Sequence, residues 1–124
     1  MRKLVPILTL SLLALAVPAC SGGGGGGSDD CVDLSGQGAT FTIHIKSFEF
    51  DPSCFTASAS QSISVVNEDG AVHSFTMQDT EIDVDIPAND TFDGGSVSGV
   101  VEPGTYDLIC TYHPEMKGTV TVVQ

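Results

Sequence analysis

Cys110-Thr111-Tyr112-His113-Pro114-Glu115-Met116 sets a thiol, an imidazole and a thioether at i, i+3 and i+6. Along an extended strand that spacing scatters the three side chains over about 20 Å of backbone. Only a tight reversal brings them to one point, and Pro114 supports a reversal by fixing its own φ. The stretch predicts a strand that ends at Cys110, a turn through His113 and a new strand after Gly118. A second imidazole, His73, has to arrive from elsewhere. It follows the turn Asn67-Glu68-Asp69-Gly70, where a strand can begin beside the 110–116 loop.

The donor types carry the chemistry. Thiolate and thioether are soft and favour Cu(I), while imidazole also suits Cu(II), so a mixed set serves a metal that passes one electron without much rearrangement. We expect one copper ion per chain, cycling between Cu(I) and Cu(II), on His73, Cys110, His113 and Met116. Zinc takes Cys and His but makes poor use of a thioether, and structural zinc usually recruits paired cysteines. A Cys–His nucleophile needs a third group to orient the base, and none is adjacent. There is no H-E-x-x-H and no G-x-S-x-G, and four protein ligands leave no open position for a substrate. The chain is therefore not expected to be an enzyme. Met77, four residues past His73, falls roughly 13 Å away along a strand and is expected in the core. His44 has no Cys or His at ligand spacing and reads as a surface histidine.

Around these residues the pattern alternates with period two. Phe41, Ile43 and Ile45 share one face, with Thr40, Thr42, His44 and Lys46 on the other. Ile63 and Val65 repeat it, then Phe75 and Met77, then Ile82, Val84 and Ile86 against Glu81, Asp83 and Asp85. Tyr106 and Leu108 lead into Cys110, and Val120 and Val122 close the chain. Short alternating runs punctuated by Gly, Pro, Asn and Asp, with no helical period, predict an all-β sandwich or barrel.

The N-terminus reads as targeting sequence. Arg2 and Lys3 precede an almost wholly apolar run from Leu4 to Val17, which has the form of a secretory signal peptide over residues 1–19. Val17-Pro18-Ala19-Cys20 resembles a bacterial lipobox, which makes Cys20 the expected lipidation site and attaches the chain to the outer face of a bacterial membrane. Residues 20–30 hold that site and a linker in which Gly22 to Gly27 are consecutive. Ten such residues span roughly 17 Å on average and about 35 Å at full stretch. The folded domain is expected over 31–124.

Removing 1–19 leaves Lys46 and Lys117 against sixteen carboxylates, a formal charge of −14. A surface this acidic excludes nucleic-acid binding by phosphate neutralisation and suits partners with a basic docking surface. With Cys20 assigned to lipid and Cys110 to metal, Cys31 and Cys54 remain, either bridged or as two buried thiols. A bridge is expected in a compartment that permits one.

Gly104 to Val120, with the Cys110–Met116 loop inside it, resembles the ligand loop of a cupredoxin, and its two-residue gaps on each side of His113 are those of the amicyanin type. Asn67 to His73 resembles the family's segment carrying the first histidine, and Phe48 to Pro52 its early strand. The resemblance implies a Greek-key β-sandwich of about eight strands, acting as a monomeric extracytoplasmic one-electron carrier between redox partner proteins. A copper-handling lipoprotein is the alternative. It implies Cys110, His73 and His113 in a plane, with Met116 as the longer axial ligand, and a His113 edge that emerges through an apolar patch of Pro114, Ala71 and Val72. Next to the ligands it implies roles for Asn67 and Ser74, the Ser74 N–H being placed to reach the thiolate. Many members carry Asn at the Ser74 place, tying the two ligand loops together, and often Gly at the place of Gln61.

Overall fold

The structure, a computed structural model, describes residues 31–97 and 99–124. The expected signal peptide, Cys20 and the glycine linker lie outside the described residues. Among the described residues every regular element is a strand: β1 Val32–Asp33, β2 Thr40–Lys46, β3 Glu49–Asp51, β4 Cys54–Ser58, β5 Ser62–Asn67, β6 His73–Met77, β7 Asp83–Ile86, β8 Thr91–Ser96, β9 Gly104–Cys110 and β10 His113–Val123. They form a six-stranded sheet in the order β1-β4-β10-β9-β6-β7 and a four-stranded sheet in the order β3-β2-β5-β8. The count exceeds the expected eight because β1 and β3 are pairings of two and three residues.

Sequence alternation becomes burial. On β2, Phe41, Ile43 and Ile45 are buried while Thr40, Thr42 and Lys46 are exposed, as one covered face of a pleated strand requires. The sheets meet through aromatic rings, Phe41 of β2 on Phe55 of β4 at 5.7 Å between centroids and Phe50 of β3 edge-on to Phe75 of β6 at 5.9 Å. Met77 is buried among these core residues.

A buried glutamine closes the end of the sandwich away from the histidines, and a disulfide joins two strand starts. The buried Gln61 amide donates to the carbonyls of Leu34 and Gly38, both at 2.9 Å, while its oxygen accepts the Ser58 N–H at 2.8 Å. A glycine there could make none of these bonds. Cys31 and Cys54 are joined in a disulfide that ties the start of β1 to the start of β4, its parallel neighbour. Closing a loop of this length removes about 3 kcal/mol of unfolded-state freedom. The Cys31→Ala/Cys54→Ala protein is expected to lose about that much unfolding free energy and to unfold at a lower urea midpoint, measured by circular dichroism.

Candidate metal centre

Three strand ends converge at the other end of the six-stranded sheet. His73 opens β6, Cys110 closes β9 and His113 opens β10. β6 and β10 both run antiparallel to β9, so two beginnings and one end fall together. His73 Nδ1 lies 3.1 Å from His113 Nδ1, and Cys110 Sγ lies 3.8 Å from the first and 3.5 Å from the second. A point equidistant from the three is about 2 Å from each, the usual length of a metal–nitrogen bond and slightly short of a metal–thiolate bond. His73 and Cys110 are buried and His113 is half-buried. A cation is the partner that satisfies two imidazole nitrogens and a sulfur directed at one buried point, and the three side chains form a group able to hold a metal ion.

The local fold of the 110–116 stretch differs from the expected one. β10 starts at His113, not after Gly118, because His113 pairs directly with Cys110 across the two-residue turn Thr111-Tyr112. Pairing then resumes at Lys117 with Ile109, so Pro114, Glu115 and Met116 are extra residues accommodated in a bulge. Met116 is buried within that bulge. The Tyr112 hydroxyl donates to Asp85 at 2.9 Å and ties the turn to β7.

The Ser74 N–H donates to Cys110 Sγ at 3.3 Å. Serine is shorter than asparagine, yet its hydroxyl still joins the two ligand loops, because Thr111 reaches back to it. Ser74 Oγ accepts the Thr111 N–H at 2.8 Å and the Thr111 hydroxyl at 3.1 Å. Thr76 Oγ1 donates to the Asp83 carboxylate at 2.7 Å, and a carboxylate only accepts, so Ser74 Oγ donates to Thr76 Oγ1 at 3.0 Å. A directed chain of hydroxyls thus runs from the metal loop to the edge strand. Ser74 is fully buried, and removing its hydroxyl takes the partner from the part-buried Thr111 N–H, which costs about 1 kcal/mol. Ser74→Ala is expected to lower stability by that amount in urea denaturation.

Asp69 organises the other side. Its Oδ2 lies 2.9 Å from His73 Nε2, which must be the donor, and this leaves Nδ1 with its lone pair toward the cluster. The same carboxylate accepts the N–H groups of Ser47 at 2.7 Å and Phe48 at 2.9 Å. Burial works to raise the Asp69 carboxyl, but the amides of Phe48 and Ser47, together with His73, outweigh it and hold it below the usual carboxylate range. Ser47 and Phe48 form the two-residue turn between β2 and β3, both with positive φ, 53° and 61°. That is the signature of a type I′ turn, a place usually taken by Asn-Gly. The Phe48 ring is 50% exposed and stands perpendicular to both imidazoles, 5.2 Å from His73 and 4.9 Å from His113 between centroids.

Asn67 braces the segment before His73 and has no contact with the donor atoms. Its Nδ2 lies 2.8, 3.0 and 2.9 Å from the carbonyls of Ala71, Ile86 and Pro87, and its Oδ1 accepts the Asp69 N–H. Val72 and Pro114 are exposed and Ala71 is half-buried. His44 lies apart from the cluster, half-buried and 3.5 Å from Glu68. Sequence reading missed Asp69, Phe48 and Thr111. The only signal for Asp69 was a carboxylate four residues before a histidine, which also fits a plain turn.

Residues 9–122 match the family model of the cupredoxin-like domain. The chain belongs to this family. Its cupredoxin fold is similar to amicyanin from Paracoccus versutus (Thiobacillus versutus), with a TM-score of 0.55, 20% identity, and 69% of this chain and 83% of that one covered. It is also similar to a mutant plastocyanin of fern, with a TM-score of 0.53, 21% identity and coverage of 67% and 100%. A copper-containing nitrite reductase from Thermus scotoductus SA-01 contains a similar cupredoxin unit, with a TM-score of 0.57 and 20% identity; 68% of this chain matches 22% of that much longer one. Similarity at this level of identity defines the fold alone. No curated protein matches the chain in sequence.

Proposed function

We propose that this cupredoxin is an extracytoplasmic one-electron carrier, and that His73 Nδ1, Cys110 Sγ and His113 Nδ1 would hold one copper ion, with the Met116 thioether as a weaker fourth ligand. The observation that carries the reading is the convergence of those three atoms at the buried end of the sandwich, 3.1 to 3.8 Å apart. Copper bound there supplies a Cu(I)/Cu(II) couple. The protein's part is to hold the donors in one geometry for both oxidation states. Asp69 fixes the His73 ring, the Ser74 N–H withdraws electron density from the Cys110 sulfur, and the Ser74–Thr111 link locks the two loops together. His113, the half-buried imidazole, is the exit toward a partner.

Residues 1–19 act as a signal peptide, Cys20 carries lipid and residues 20–30 form a leash, which leaves 31–124 free to turn near a membrane. The partner is a redox protein with a basic docking surface, attracted by the −14 charge of the processed chain. The reading excludes enzymatic turnover, since no donor position is left open to a substrate. Copper reconstitution tests it. An intense thiolate-to-copper band in the visible and a reversible one-electron wave are expected. Absence of both rejects the proposal, and fast loss of copper to a chelator with slow electron self-exchange favours copper handling instead.

A further inference from the structure

Phe48 is the outstanding anomaly of the molecule. A bulky side chain occupies a left-handed backbone position that asparagine or glycine takes in other two-residue hairpins. Its ring is half exposed in a strongly acidic protein, where a charged residue would be the ordinary choice. Neither feature helps the hairpin. Both are explained by where the ring goes, since it is the one aromatic side chain in ring contact with both His73 and His113 among the described residues. The turn is also fixed from outside the hairpin. The two N–H groups of the turn bond to Asp69, more than twenty residues away in sequence, through the same carboxylate that bonds His73. One carboxylate therefore sets both the orientation of His73 and the position of the ring above it.

We propose that Phe48 is a cap on the histidine pair, one that bars small ligands from the metal site and slows loss of the ion, and that Asp69 is the positioning residue that holds the cap shut. The proposal rests on the copper reading above, and it separates a carrier from a copper donor by a single side chain. An electron crosses an aromatic ring at the surface, whereas a chelator, an anion or the departing ion needs the ring to move.

The test uses the full chain with Phe48→Gly, Phe48→Ala and Phe48→Tyr. Glycine suits the left-handed backbone, so Phe48→Gly relieves the turn while it deletes the ring. Its thermal midpoint is expected within a few degrees of the parent value, which a purely structural role for the ring does not allow. Metal-free protein is treated with iodoacetamide, and modification at Cys110 is followed by peptide mass spectrometry. At least tenfold faster modification is expected for the Gly and Ala variants, and a rate within twofold of the parent for Tyr. Asp69→Asn should accelerate it in the same direction. In copper-loaded protein, extraction by a chelator should accelerate by a similar factor, and azide should perturb the visible spectra of the Gly and Ala variants but not those of the parent and the Tyr variant. Rates for Gly and Ala within twofold of the parent overturn the cap, even where the copper band is normal. Faster Cys110 modification in a protein that shows no copper band upholds the cap and discards the electron-carrier reading.

Discussion

Copper added to the Cys110→Ser protein will give no intense visible band, and the ion will be held more weakly by a factor beyond the roughly 10–100-fold typical of losing an outer hydrogen-bond partner. The band requires charge transfer from a thiolate. A serine hydroxyl stays protonated at neutral pH and is a hard donor that does not favour Cu(I). The fold should survive, because serine nearly matches cysteine in volume and the Ser74 N–H that meets Sγ at 3.3 Å can meet a hydroxyl oxygen. An unchanged far-ultraviolet spectrum with the band missing is the expected pair of results. A visible band of normal intensity in this variant would remove Cys110 from the site.

Gly118→Ala is expected to be the most damaging single-methyl addition in the domain. A Cβ at Gly118 would lie 2.3 Å from the Ser53 carbonyl oxygen and 3.4 Å from Leu108 Cδ2. The first contact is with backbone, which cannot rotate away. The same carbonyl accepts the Thr119 N–H at 2.8 Å and leads into the pairing of Thr119 with Cys54 between β10 and β4. Overpacking of this kind costs about 1–3 kcal/mol, and a disturbed ladder bond adds about 1 kcal/mol more. A loss of about 3 kcal/mol lowers the melting temperature of a domain this size by more than about 10 °C, measurable by calorimetry. Copper affinity should fall with it, because β10 carries both His113 and the Met116 bulge. A melting temperature within two or three degrees of the parent would show that the close approach is not real.

The limits of sequence reading follow from physics. Six strands announce themselves because apolar and polar residues alternate along them, which writes a period of two into β2, β5, β6, β7, β9 and β10, although on β6 the polar side is covered as well. β8 does not, since Gly94 and Gly95 interrupt its alternation. Gly94 is there for space, as a Cβ would fall 2.4 Å from the Phe92 ring. β4, with Phe55 and Ala57 buried and Ser58 also inside, is too short and too polar to show a period. β1 and β3 exist mainly as partners to longer strands.

At the candidate metal centre the converging His73, Cys110 and His113 were legible because Cys and His with a Met at tight spacing have few other uses together. Their supports were not, because the contacts depend on chain segments distant in sequence. Serine is shorter than the asparagine many family members carry there, and nothing in its own neighbourhood reveals that Thr111, 37 residues later, supplies the missing reach. Asp69 looked like a turn residue, and it is one. Its bonds to Ser47 and Phe48 appear only once β2 and β5 lie side by side. The start of β10 was misplaced for a related reason, since a bulge of three residues looks like a loop until the partner strand shows that pairing has already begun at His113.

The most direct measurement is a crystal structure of the copper-loaded protein with anomalous data collected at the copper edge. A single strong peak is expected between the imidazoles, within bonding distance of His73 Nδ1, His113 Nδ1 and Cys110 Sγ, with the Met116 sulfur farther off along the axis. A peak elsewhere, or any one of those three side chains turned away from the ion, would contradict the account.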